Sequence, residues 1–433
     1  MTKNLFSKIL LCGAALFSWL ATQAKEVEFD KVFADSTLRI DMTLAGNAKD
    51  CHVFLNRQSK TTGWYGRRHN LAKLPLLGNG IVTVTDSLTN DTIYRHSFST
   101  LFQEWRDTPE AEQISRSYEN SFLLPLPKRA AKITVELLDS RHRTVASNTH
   151  IYSPADILVS VPKPSKTAKY SKIHTGGSPK KAIDVVILAE GYTEAERDSF
   201  FTDAAEAVDA IFSHEPFASH RKDFNFMALW TPSEESGMSV PRDQDWRNTA
   251  FGSHYDTFYS ARYLTTPNVR DIYDSLDGQP FEHIIILANS PVYGGGGIYN
   301  SYTLTTSKND NFRPVVVHEF GHSFGGLADE YFYENDVMSD IYPLDIEPWE
   351  PNITTLTDFA SKWEPLLEPG TPVPTPVDQA ERYPVGVYEG GGYSFKGVYR
   401  PADRCRMRDN TWPGFCPACQ RALEALINFY TGR

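Results

Sequence analysis

From residue 37 the chain alternates, with Leu38, Ile40, Met42 and Leu44 on one side of an extended strand and Arg39, Asp41 and Thr43 on the other. A period of two predicts a half-buried β-strand. The same pattern recurs at Cys51 to Leu55, Ile81 to Thr85, Thr92 to Phe98, Lys132 to Leu138 and Thr144 to Tyr152. Turn signals such as Gly78-Asn79-Gly80 and Asn90-Asp91 separate several of these runs. No long amphipathic helix interrupts them, so residues 25–155 read as an all-β sandwich. Trp64, Tyr65 and Trp105 within it fit either core packing or an aromatic platform for a sugar.

The pattern then breaks. Residues 156–182 bring together Pro162, Pro164, Gly176, Gly177, Pro179 and several lysines, the composition of a linker. Past it, Asp184 to Ala189 is a short apolar run suited to a central strand, and Thr193-x-x-Glu196 is a capping box. Phe200, Phe201, Ala204, Val208, Ile211 and Phe212 follow at helical spacing until Pro216 stops the helix. Strands are predicted again at Phe224 to Trp230 and His283 to Ala288. Tyr302 to Thr306 reads as a short polar strand at a sheet edge, and the Gly294 to Gly297 run before it as a flap. Residues 183–433 are thus expected to form an α/β domain with a mixed sheet, giving an α+β chain overall. From Tyr333 to about Tyr399 few periodic segments remain, which predicts long loops. A last helix opens at Cys416-Pro-Ala-Cys419 and carries Leu423, Leu426, Ile427 and Tyr430 on one face.

The chemistry lies in residues 313–333. His318-Glu319-x-x-His322 puts two imidazoles at i and i+4, on one face of a helix, where both can bind one ion. Glu319 stands beside them, able to take a proton from water at a zinc ion. Val315, Val316, Val317, Phe320 and Phe324 bury the rest of that helix, and Pro314 suits its first turn. Gly325-Gly326 can end it with a positive φ, and Asp329-Glu330 then return carboxylates toward the histidines.

Composition narrows the partners. The formal net charge of −11 argues against a nucleic-acid partner, which requires a basic face. Residues 1–24 read as a signal peptide, with Lys3 and Lys8, an apolar Ile9 to Leu20 and a cleavage site after Ala24. No membrane span is expected downstream of it. A secreted or periplasmic address permits disulfides among the four cysteines that remain. Cys405, Cys416 and Cys419 cluster near the C-terminus and predict one disulfide, from Cys405 to Cys416 or Cys419. Four thiolates for a structural zinc would need Cys51 from the other domain. The Cys416-x-x-Cys419 pair lacks the strand–motif–helix setting of a redox site.

His318-Glu319-x-x-His322-x-x-Gly325, with Asp329 after it and Cys405-Arg-Met407 far downstream, resembles the metzincin zinc peptidases. Leu188-Ala-Glu-Gly-Tyr192, Gly294 to Gly297, His318 to Tyr331 and Met407 to Cys419 resemble more closely the bacterial IgA-peptidase family, whose N-terminal domain the sandwich is similar to. The resemblance implies a metzincin-like fold, a methionine turn at Met407 and a third metal ligand after the glycine. Counting from Gly325 that ligand falls on Ala328, which cannot bind a metal. Counting from Gly326 it falls on Asp329, with Glu330 in reserve. A gluzincin-type alternative would take Glu334 or Glu347.

The expected function is a secreted, bacterial, zinc-dependent endopeptidase acting on protein or peptide substrates, with Zn2+ on His318, His322 and Asp329 and Glu319 as general base. The family's name points to immunoglobulin or another host glycoprotein, which no residue pattern here specifies. The alternative is a surface or glycan-binding protein whose metal site is catalytically silent. Tyr393, Tyr399 and Arg408 are candidates for stabilising the oxyanion. Residues 25–155 are expected to serve as a separable docking domain, so that a chain starting near residue 160 still cleaves small peptides.

Overall fold

The alternating run at residue 38 lies in the middle of the longest strand. The computed structural model describes residues 26–162, 170–334 and 341–433, and the signal peptide expected at 1–24 lies outside them. After a short helix α1 (Phe29–Val32), the sandwich is built from β1 (Phe33–Gly46), β2 (Cys51–Thr62), β3 (Gly80–Asp86) and β4 (Thr92–Phe98). Helix α2 (Leu101–Arg106) follows, and then β5 (Arg116–Pro127), β6 (Ala131–Leu138) and β7 (Thr144–Tyr152). A three-stranded sheet β2-β1-β5 faces a four-stranded sheet β4-β3-β6-β7, and every pairing is antiparallel. Between them lie Leu38, Ile40, Met42 and Leu44 of β1 with Val82, Val84, Ile133 and Val135, all buried. Strand β5 carries Pro125 and Pro127, which a sheet tolerates at the edge that β5 occupies. Trp64 and Trp105 are core residues rather than a sugar platform, each buried with its indole N–H donating inside the domain.

The second sheet has six strands in the order β12-β13-β11-β9-β10-β8. They are β8 (Tyr170–Thr175), β9 (Ile183–Glu190), β10 (Phe224–Leu229), β11 (His283–Ala288), β12 (Gly295–Ile298) and β13 (Tyr302–Thr306). The four inner strands run parallel, and β12 and β8 are antiparallel edges. Two sequence expectations change here. The stretch read as a linker contributes an edge strand, β8. Tyr302 to Thr306 is not an edge, because the glycine run read as a flap is itself the strand that covers it. Helices α3 (Arg197–Phe212) and α5 (Phe312–Ser323) pack on one face of this sheet with α6 (Pro417–Thr431), while α4 (Val269–Ser275) lies on the other. Buried on both faces, β9 and β11 read as unbroken apolar runs. Within the stretch expected to be loops, β14 (Tyr388–Gly391) and β15 (Ser394–Arg400) form a hairpin.

The polar side of β1 does not meet solvent. Arg39 and Asp41 are both buried, and the Arg39 guanidinium bonds Asp41 at 2.7 Å and Asp274 of α4 at 2.6 Å. Arg57 reaches Asp274 at 2.6 Å as well, and Arg270 donates to Thr43 at 3.0 Å. Farther along, Ser99 N–H donates to Tyr299 O and Asn300 Nδ2 donates to Ser97 O. The two domains therefore share a buried polar and aromatic interface.

Candidate active site

Helix α5 ends because Gly326 takes φ +58, letting the Leu327 N–H bond Gly321 O and the Gly326 N–H bond His322 O. The Gly326 bond is that of an αL C-cap, and the Leu327 bond widens it by reaching a further residue back into the helix. It reverses the chain and offers Leu327 O to His322 Nδ1 at 2.6 Å. Asn352 then fixes the returning backbone, accepting from Ala328 N–H at 2.7 Å and donating to Ala328 O at 2.9 Å. Asp329 arrives with Oδ1 at 3.0 Å from His318 Nε2 and 3.3 Å from His322 Nε2. The two Nε2 atoms are themselves 3.0 Å apart.

Three lone-pair atoms thus point into one small space. His318 Nδ1 is 3.0 Å from Arg406 O, so in both rings the outer nitrogen donates to a carbonyl and the inner one is left as an acceptor. Two imidazole nitrogens and a carboxylate at these separations call for a cation among them, either a metal ion or a proton shared with Asp329. Burial works against charge on His322, yet Asp329 outweighs it and lifts that pKa to about 9. Burial likewise opposes ionisation of Asp329, and the two histidines overcome it, holding its carboxyl well below the ordinary range. The donor set and its tautomers fit a divalent metal.

Glu319 lies on the same helix, where strand β12 comes close. A Cβ on Gly295 would sit 3.1 Å from Glu319 Oε1, and one on Gly297 would sit 2.8 Å from His322 Cβ. The glycines therefore let a strand lie against the histidine-bearing turn of α5 without side chains between. Burial raises the Glu319 pKa above that of an ordinary glutamate, with the histidines pulling the other way.

Met407 is fully buried under α5, and a Cβ on Gly321 would lie 2.7 Å from its sulfur. Its neighbour Arg406 supplies the carbonyl that orients His318, and Met407 O accepts from Glu330 N–H at 2.9 Å. Of the oxyanion candidates, Tyr393 is the one at the cluster, its hydroxyl donating to Asp329 Oδ2. Tyr399 pairs its backbone with Thr354, and Arg408 is held by Asp403. Glu330, the reserve ligand, points away from the histidines to Cys419 Sγ, 3.1 Å away. The disulfide expected among Cys405, Cys416 and Cys419 is absent; all three are free thiols, with Cys405 and Cys419 sulfurs 3.7 Å apart. Glu347 bonds Thr355 and Asp358 N–H rather than a histidine.

Sequence reasoning missed Glu104 of α2. Its carboxylate takes the Tyr263 hydroxyl proton in a hydrogen bond, beside strand β12. Burial raises its pKa to about 7, and it feels the charges of His322 and Asp329. A lone glutamate in a short helix of the other domain carries no local signal for such a place.

Residues 172–384 match the family model described as IgA Peptidase M64, and residues 28–148 match that described as Peptidase M64 N-terminus. No curated protein matches the chain. A peptidase family of this kind implies a metal cofactor, and His318, Glu319 and His322 form one of the groups placed to hold it. With both of its domains matched, the chain belongs to the IgA peptidase M64 family.

Proposed function

We propose that this protein is an exported zinc endopeptidase in which His318, His322 and Asp329 hold the metal and Glu319 is the general base. The observation that carries the reading is the triangle of Nε2, Nε2 and Oδ1 atoms at 3.0–3.3 Å with both outer ring nitrogens tied to carbonyls. When bound, zinc supplies an electrophile that polarises a peptide carbonyl and acidifies water. Glu319 would take a proton from the attacking water and return it to the departing amine nitrogen. Burial raises its pKa, which makes it a stronger base than an ordinary glutamate. Tyr393 keeps Asp329 oriented from its second oxygen.

The substrate is a peptide in extended form. Gly295 N–H bonds outward to Arg262 O, so the outward row of β12 carries Gly295 and, two residues on, Gly297. Arg262 and Tyr263 already pair with Gly295, so a peptide strand on this edge would add at Gly297, the residue of β12 that lies against the Glu319 backbone and His322 Cβ. The leader-type pattern of residues 1–24 supports export. Among the described residues no helix is long and apolar enough to cross a membrane.

A peptide-library digest with and without a chelator tests the proposal. Internal cleavage that stops on chelation and returns with zinc is expected. Cleavage indifferent to chelator, or confined to terminal residues, contradicts it.

A further inference from the structure

Behind the histidine site lies a second group of metal-binding atoms that the proposed reaction does not use. Glu330 Oε and the sulfurs of Cys405, Cys416 and Cys419 all fall within 4.8 Å of one another, and all four residues are buried. The separation of 3.7 Å between the Cys405 and Cys419 sulfurs is far beyond a covalent S–S bond of about 2.0 Å. It matches two thiolates on one tetrahedral zinc, for which Zn–S bonds near 2.3 Å put the sulfurs about 3.8 Å apart. Glu330 Oε1 is 3.1 Å from Cys419 Sγ, and Glu330 Oε2, wholly enclosed, has no hydrogen-bond partner among the described residues. A buried carboxylate oxygen without a partner, beside three thiols, is costly unless an ion satisfies it.

The surroundings are those of a thiolate–metal centre. Cys416 is the N-cap of α6 and Cys419 lies in its first turn, so both sulfurs sit at the positive end of a 15-residue helix. Cys416 N–H points at Cys405 Sγ, 3.3 Å away, and Asn352 Nδ2 donates to Glu330 Oε1 at 3.0 Å. Arg400 is buried close enough for its charge to act on Glu330, partly balancing three thiolates and a carboxylate around a dication. The fourth thiolate, sought from Cys51 in the sequence, is not required, because Glu330 takes that place.

We propose that Glu330, Cys405, Cys416 and Cys419 bind a second zinc ion in a closed, structural site. Three thiolates select a soft, tetrahedral metal, and four protein ligands leave no position open for water. The ion joins three segments that build the histidine site. Glu330 follows Asp329, Cys405 precedes the Arg406 carbonyl that holds His318, and α6 packs in the same core as α5. The site is a clamp that fixes Asp329 and the Met407 turn relative to the helix.

Metal content of the full chain, purified without chelator, is to be measured for the parent and for His318→Ala/His322→Ala. Two zinc ions in the parent and one in the variant are expected. Loading the variant with cobalt(II) should produce thiolate-to-cobalt charge-transfer absorption, lost in a further Cys416→Ser change. Alkylation of the folded variant should leave the three thiols unreacted until the metal is stripped. One zinc in the parent and none in the variant overturns this site and leaves the proposed peptidase centre standing. One zinc in both overturns the histidine site instead, and none in either overturns both. A crosslink among Cys405, Cys416 and Cys419 in unreduced mass mapping also overturns the clamp.

Discussion

Asp329 and Glu330 are adjacent in the chain and face opposite ways. Asp329 Oδ1 lies 3.0 Å from His318 Nε2, while Glu330 Oε1 lies 3.1 Å from Cys419 Sγ. The segment they occupy is extended, with Asp329 O and Tyr331 O accepting from Gly392 and Tyr393 N–H, so successive side chains leave on opposite sides. Two carboxylates one residue apart thereby serve two different clusters.

At Gly297, strand β12 leaves no room for a single added methyl group. Gly297→Ala drives a Cβ into the α5 backbone at Glu319 and against His322, so the strand or the helix must shift. We expect a loss of about 1–3 kcal/mol in stability, as for other overpacked sites, together with most of the activity. Gly414→Ala, with nothing within 4 Å of its Cβ, serves as the control and should be close to neutral. Equal denaturant midpoints for the two variants would contradict the close approach of β12 and α5.

Stability should fall in mild acid through two histidines at the domain boundary. Burial holds His283 down at about 3, and burial with the Arg67 charge does the same for His96. Unfolded, each has a pKa of about 6.5, so between roughly 6.5 and 3 the unfolded chain binds more protons. Their contribution is therefore fully present above about pH 6.5 and is lost as pH falls toward 3. His283 packs edge-on against Phe324 and Tyr430, and its Nε2 has no partner among the described residues. His283→Leu should cost little at pH 7.5 and make the melting temperature fall less steeply between pH 7 and pH 5. An unchanged slope would show that His283 does not titrate on unfolding.

The domain interface should prove integral to the fold. Removing Arg39 leaves the buried Asp41 with less compensation and takes away the cation beside Asp277, while Arg57 still pairs Asp274, so Arg39→Ala should cost about 3 kcal/mol. Lys31→Ala, which breaks an exposed pair with Glu28, should change stability by less than about 1 kcal/mol. The same interface revises the separable docking domain expected from sequence. A chain starting near residue 160 uncovers Tyr299, Leu276 and Tyr430 and should be aggregated or inactive on small peptides. Full small-peptide turnover by that shortened chain would contradict this.

What the sequence made legible is what local spacing encodes. Period-two runs located six of the seven sandwich strands, and the i, i+4 histidines with the following glycines located the helix and its turn. The rest depends on neighbours remote in the chain. Arg39 and Asp41 look solvent-facing until α4 covers them, and β5 hides behind prolines that only an edge strand allows. Cysteine spacing suggested a disulfide because the fourth member of the cluster, Glu330, lies 75 residues before Cys405. Spacing favoured Asp329 over Glu330 only by counting from Gly326, and which of the two faces the histidines depends on pairing with Gly392 and Tyr393.

The most direct test of the central claim is turnover by Glu319→Gln with its zinc content measured on the same sample. The histidines and Asp329 keep their contacts in this variant, and only the proton carrier is removed. We predict zinc content equal to the parent's and a fall in kcat of roughly 10²- to 10⁴-fold or more on a peptide substrate. Turnover equal to the parent's at full zinc content would contradict the assignment of Glu319 and, with it, this account of the site.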